Sequence, residues 1–257
     1  MKTGIFITAR LGSTRLKKKH LLEVNSRPIL YFLIQRIENE FQSELADGKA
    51  EIIIVTSDEE ENREFERFIR NKIGVFYGSV HNIPLRHLQA AKKYFSDLII
   101  AIDGDDILCS TKGMRAVYEA LLRGVPYAKT VNLPFGMNSN GYSMSFLESS
   151  LAGHMEDTLE TGWGRIFDQN QLVDVPIPFT ISDDLLRFTL DYAEDYQFFK
   201  AVINAFGEAI VTAQDEEIVR LVVEKKLYRI TEPVAKKYWE NFNRTKEKEI
   251  ITKKHES

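Results

Sequence analysis

Short apolar runs rich in β-branched residues alternate with segments of helical period through the first half of the chain, and few architectures accept that rhythm. Gly4 to Ala9, Glu51 to Thr56, Ile73 to Tyr77 and Leu98 to Ile102 read as buried strands. Between them, Ile29, Leu30, Leu33, Ile34, Ile37 and Phe41 recur at helical spacing behind Pro28, which suits a first helical turn. The acidic run 58–61 marks a helix start ahead of Phe65, Phe68 and Ile69, and helices are predicted over Leu85 to Phe95 and Met114 to Leu122. The pattern predicts an α/β fold: three layers, with a doubly wound, mainly parallel sheet. Residues 125–180 break the rhythm with Pro126, Pro134, Pro176, Pro178 and several Gly and Asn, and read as an inserted smaller subdomain for acceptor or dimer contacts. Regularity returns with a strand over Leu186 to Leu190, an apolar helix through Phe198, Phe199, Val202, Ile203 and Phe206, and a helix from Asp215 to Glu224. The expected division is therefore a core from 1–124 and 181–230, the insertion 125–180, and a terminal helix and tail from 231–257.

Charge narrows the partners. Thirty-four Lys and Arg face 38 Asp and Glu, a net of −4, so neither a nucleic-acid coat nor a polybasic membrane anchor is expected. An anionic ligand must be held by a local cluster. No apolar stretch approaches a membrane span or a signal segment, and the single cysteine, Cys109, rules out an intramolecular disulfide, so a reducing cytoplasm is expected.

Two clusters stand at predicted strand ends, where open parallel sheets bind ligands. The loop from Ala9 to Lys19 holds Arg10, Gly12, Ser13, Thr14, Arg15 and Lys19. Its Gly and hydroxyl residues let backbone N–H groups approach phosphate oxygens, while the cations supply charge to a triphosphate. It lacks the G-x-x-x-x-G-K-[ST] order of a P-loop. The second cluster is Asp103, Asp105 and Asp106, carboxylates that repel one another unless a cation or hydrogen bonds compensate. Magnesium is the expected cofactor, since it takes one or two carboxylates plus substrate phosphates. Asp105 is the expected ligand, with Asp191 able to reach it across the sheet crevice. Asp195 reads as a helix-start residue. His20, His81, His87, His154 and His255 show no metal-ligand spacing.

Residues Ala9 to Lys19 resemble the A-R-x-G-S-T-R-L-P-G-K signature of the cytidylyltransferases of the spore-coat polysaccharide biosynthesis protein F type, relatives of the enzymes that make CMP-sialic acid and CMP-Kdo. Three more segments follow in the family's order. Gly78-Ser79 through Arg86 to Ala90-Ala91 is similar to G-S-x-x-D-V-L-x-R-x-x-x-A-A, Asp103-Gly104-Asp105 to x-G-D-x-P, and Leu190-Asp191 through Asp195-Tyr196 to V-D-x-x-x-D-[YL]. The likeness spans roughly residues 4–210 and implies a Rossmann-like nucleotide-diphospho-sugar transferase fold. It also implies that Arg10, Leu11, Gly12, Ser13, Arg15, Lys19, Ser79, Arg86 and Asp103 bind CTP. Arg15, Lys19 and Asp105 would carry catalysis, and Asp105 and Asp191 would hold magnesium. Three departures stand out: Lys17-Lys18 replace Pro-Gly, Ile107 replaces the metal motif's Pro, and Asn82 replaces an Asp.

The expected reaction is transfer of CMP from CTP to a sugar-like acidic or phosphorylated acceptor in polysaccharide or surface-glycan synthesis. Asn138, Asn140, Tyr142, Trp163 and Arg165 combine amides, aromatic faces and one cation, a mixture suited to such an acceptor. Tyr238 and Trp239 are expected to dock the last helix or meet a second subunit, and a homodimer is the expected assembly. A glycosyltransferase that binds metal through D-x-D is the nearest alternative, against which the triphosphate-sized basic loop argues. A noncatalytic nucleotide or sugar sensor is the other.

Overall fold

The computed structural model describes residues 1–179 and 186–248. A seven-stranded sheet runs through it in the order β5-β4-β1-β6-β8-β7-β9. Strands β1 (Thr3–Thr8), β4 (Ala50–Ser57), β5 (Ile73–Gly78) and β6 (Leu98–Asp103) are parallel, as their near-continuous apolar runs require when both faces are covered. The pleat sorts their side chains. Ile5 and Ile7 face one core, with Ile52 and Ile54, beneath α1 (Leu30–Glu40) and α4 (Thr111–Leu122). Phe6, Ile53 and Val55 face the other, beneath α3 (Ile83–Tyr94) and α5 (Met144–Ser150). A short ribbon, β2 (Glu23–Val24) with β3 (Arg27–Pro28), precedes α1, and α2 (Gln42–Ala46) follows it. A third core joins Ile29 and Phe32 to α6 (Ala193–Phe206) and α7 (Asp215–Glu224), and α8 (Glu232–Lys248) ends the described chain. Among the described residues no helix is long and apolar enough to cross a membrane.

Three expectations need correction. Within the stretch predicted to be irregular, β7 (Tyr127–Val131), β8 (Asn140–Ser143) and β9 (Leu172–Pro176) extend the central sheet. Their brevity, and the Pro, Gly and Asn between them, conceal the strand period. The strand predicted over Leu186 to Leu190 is reduced to a single bridge from Arg187 to Phe135, with Phe188 N–H donating to Phe135 O at 2.8 Å. The helix after the acidic run is a 3-10 helix, Glu60–Phe68. Its buried residues Asn62, Phe65 and Phe68 recur every third position, the period of that helix, and Ile69 lies exposed.

His87 on α3 ties the layers together: Nε2 lies 2.8 Å from Thr8 Oγ1 on β1, and Nδ1 lies 2.5 Å from the Tyr142 hydroxyl on β8. Burial, with the neighbouring Arg86 guanidinium, pushes the imidazole down to about 3, against about 6.5 in an unfolded chain. The unfolded chain therefore takes up a proton that the folded one refuses. Stability from neutral His87 is complete above about pH 6.5 and drains as pH falls toward 3. His87→Gln should accordingly flatten the fall in unfolding temperature between about pH 6.5 and 4.5. An unchanged slope would show that the ring titrates in place.

Candidate functional site

The carboxyl ends of β1 and β6 open into a cleft of about 620 Å³, large enough for a nucleotide with part of a second substrate. Gly104 lets the two loops meet: a Cβ there would lie 2.9 Å from Ala9 Cβ and 3.0 Å from Thr8 O, so only glycine fits without displacing backbone. The basic loop then turns through Lys18, whose φ of 48° is the left-handed conformation a glycine adopts more easily. Lys18 sits where the resembling signature has Gly, and its Nζ pairs with Glu64 at 2.5 Å. The turn survives the departure.

That turn delivers Lys19 into the base of the cleft. Its Nζ lies 2.5 Å from Asp105 Oδ2 and 3.1 Å from Asp191 Oδ1, and Arg15 reaches the same Asp191 oxygen at 2.5 Å. Lys19 is almost wholly buried, which alone would lower its pKa, yet the two carboxylates outweigh that cost and raise it. Asp105 also meets His20 Nε2 at 2.9 Å. Burial works against its charge, but Lys19 and His20 hold its carboxyl well below the usual range. Asp103 behaves in the opposite way: desolvation and the Asp105 charge push it up to about 6, partly offset by Lys19.

Asp191 is fixed without a regular strand. Leu190 N–H donates to Asp105 O at 3.0 Å, which seats the two carboxylate-bearing segments side by side. Asp195 caps α6 as expected, its Oδ2 accepting from the N–H groups of Asp191 and Tyr192 at 2.8 and 2.9 Å, and it pairs with Arg187. Arg187 also lies 3.3 Å from Asp191 Oδ2.

The cleft gathers Arg10, Gly12, Ser13, Arg15, Lys19, Arg86, Asp103, Asp105, Asp191, Asn140, Trp163 and Arg165 from the sequence-derived set. Four others stand behind its wall. Leu11 is buried in the core, and its N–H is committed to Asn62 Oδ1 at 2.8 Å. Ser79 uses its backbone to hold Gln89 and Arg86. Asn138 braces its own loop through Thr130 Oγ1, Leu133 O and Pro134 O. Tyr142 is buried against His87. Asn82 explains its own departure from the resembling motif: its amide caps α3 and donates to His154 O and Asp157 O, which a carboxylate could not do.

Sequence reasoning missed six contributors. His20 carried no spacing signal, and Glu160 sits in a stretch without a motif. Arg187 was visible only as a strand residue. Tyr238, Phe242 and Thr245 on α8 also line the cleft, and their spacing of four and three residues was the helical-face signal available. Tyr238 and Trp239 pack on Phe135 with ring centroids 5.4 and 5.1 Å apart, and Asn241 donates to the Tyr192 hydroxyl at 2.7 Å, so the last helix docks within its own chain.

Among the described residues, no three His, Cys, Asp or Glu side chains converge as a metal site. Asp105 and Asp191 do converge on one cation, the Lys19 ammonium. This donor pair suits magnesium only where substrate phosphates complete its shell.

A cytidylyltransferase family model matches residues 5–154. Over 225 residues the chain is 27% identical to the spore coat polysaccharide biosynthesis protein SpsF of Bacillus subtilis (strain 168), covering 84% of this chain and 92% of that one. It is 26% identical over 182 residues to the 3-deoxy-manno-octulosonate cytidylyltransferase of Chlorobium phaeobacteroides (strain BS1), covering 64% and 71%. A cytidylyltransferase structure from Leptospira borgpetersenii superposes with a TM-score of 0.75 at 24% identity, over 89% of this chain and 96% of that one.

Proposed function

The chain belongs to the cytidylyltransferase family, and from that premise we propose that it transfers CMP from CTP to a sugar-like acidic or phosphorylated acceptor, releasing pyrophosphate, in polysaccharide or surface-glycan synthesis. Its being a CTP-dependent nucleotidyltransferase sets the glycosyltransferase alternative aside. The observation that carries the finer reading is the convergence of Arg15 and Lys19 on Asp105 and Asp191 at the strand ends.

Phosphoryl transfer of this kind asks the protein mainly for positioning and charge. Arg10, Gly12 and Ser13 face the nucleotide phosphates from the basic loop, with Arg86 and Asp103 on the facing wall. Arg15 and Lys19 turn from carboxylates to the β and γ phosphates and stabilise the charge that grows as pyrophosphate leaves. Asp105 and Asp191 would hold magnesium, which supplies Lewis-acid neutralisation of the phosphate oxygens. Asn140, Trp163 and Arg165 receive the acceptor beneath α8. Residues 125–180 serve acceptor recognition in this reading, and the working form is a cytoplasmic homodimer.

Thermal shift with magnesium and each of the four ribonucleoside triphosphates tests the donor, and stabilisation by CTP alone is the expected outcome. Equal shifts with all four would remove cytosine recognition from the cleft. Pyrophosphate release with a panel of sugar acids, 3-deoxy-manno-octulosonate among them, tests turnover and with it the noncatalytic sensor. In that assay Arg165→Ala should raise the acceptor KM about tenfold and leave CTP affinity unchanged. A fall in CTP affinity instead would assign Arg165 to the nucleotide.

A further inference from the structure

Glu160 joins the two halves of the cleft. Its Oε2 lies 2.7 Å from Arg10 Nη1 and its Oε1 3.0 Å from Arg86 Nη2. Arg86 is buried and already donates to Ser79 O and Val80 O, so Glu160 supplies its charge partner. Arg10 is half-exposed on the basic loop, facing the cleft, and gives Glu160 a second, more exposed tie.

At its start, the segment that carries this carboxylate is tied to the foot of α3. Leu159 N–H donates to His81 O at 2.8 Å, and Ile83 N–H donates back to Leu159 O at 3.1 Å. Beyond Glu160 the chain passes Gly162, at a φ of 59°, into Trp163 and Arg165. Both Trp163 and Arg165 line the cleft. A single carboxylate thus links a phosphate-facing guanidinium to the loop that faces the acceptor. Carboxylate and phosphate are both forked anions, and one guanidinium edge cannot serve both at full strength.

We propose that Glu160 is an internal anion that occupies Arg10 until nucleotide phosphates take it, and that its release moves the 160–165 loop so that bound CTP sets the acceptor side. The inference rests on the reading of the cleft as the CTP site.

The test uses the full chain with Trp239→Phe, a half-exposed residue outside the cleft lining, so that Trp163 is the sole fluorophore of its kind. CTP with magnesium is titrated calorimetrically, and Trp163 emission is followed in the same samples. Glu160→Gln should tighten CTP about fivefold, because Arg10 no longer has to be released. It should also suppress the emission change that CTP causes in the parent. In an Arg10→Ala background the substitution should leave affinity where it was.

Unchanged or weaker affinity in Glu160→Gln overturns the inference, and so does equal tightening in both backgrounds, which would be general repulsion of the triphosphate. A parent that binds no CTP brings down the reading of the cleft itself, a failure separate from these. Should Glu160→Gln unfold because Arg86 loses its partner, Glu160→Asp keeps the charge and shortens the reach. It should then tighten CTP in the Arg10 background and not in the Arg10→Ala one, and the opposite pattern overturns the proposal.

Discussion

Asp191→Asn is expected to abolish pyrophosphate release from CTP, with a loss of at least about a thousandfold in kcat, while the protein stays folded. Asp191 is 2% exposed and its side chain lies at the meeting point of Arg15, Lys19 and Arg187. Asparagine keeps its shape and removes its charge, so two cations that should pivot toward phosphate lose the anion that places them, and any divalent ion loses half of its carboxylate pair. Asp105→Asn should be as damaging, since the same Lys19 ammonium rests on it. Asp195→Asn supplies the contrast. That residue caps α6 and neutralises Arg187 without touching Lys19, so its loss should lower the unfolding temperature more than it lowers kcat at saturating substrate. Turnover measured against magnesium concentration, beside urea unfolding of the same variants, separates the two roles. Activity like that of the wild type in Asp191→Asn at low magnesium would sink the carboxylate pair.

The parallel half of the sheet was legible because its strands are buried on both faces, which leaves unbroken apolar runs bounded by turn residues. The half beyond β6 was not. There β7, β8 and β9 are short and separated by proline and glycine, and their pairing is set by contacts across the sheet that no local pattern records. The site divides along the same line. Arg15, Lys19 and Asp105 follow strands that the sequence displays, and their positions could be inferred from strand ends alone. Leu11 and Tyr142 carry side chains of the right chemistry at plausible places, but strand pleat and loop direction turn them into the core. Glu160 and the inner face of α8 reach the cleft only through tertiary docking, which placed them outside any reading of neighbouring residues.

The second large effect lies far from the chemistry, where Arg36 of α1 is buried with Asp215 at the start of α7. Arg36 donates to Ile210 O at 2.9 Å, to Ala213 O at 3.0 Å and to Asp215 Oδ1 at 3.0 Å, and Asp215 accepts from Ser110 Oγ, the cap of α4. Three helices are thereby locked to one ion pair. Burial lowers the Arg36 pKa and raises that of Asp215, so for both partners desolvation outweighs the attraction between them. Such a pair stabilises the fold weakly against an apolar replacement but punishes the loss of either half. Asp215→Ala should therefore cost about 3–5 kcal/mol in urea unfolding, because it strands a buried guanidinium. Arg36→Met should cost a similar amount, leaving a buried carboxylate and two backbone carbonyls without their donor. The double variant Arg36→Met, Asp215→Ala should lose clearly less than the sum, since no unpaired charge remains. Additive losses would mean that water reaches the site and screens each charge alone, and the ion pair would then have no part in fixing α7 against α1.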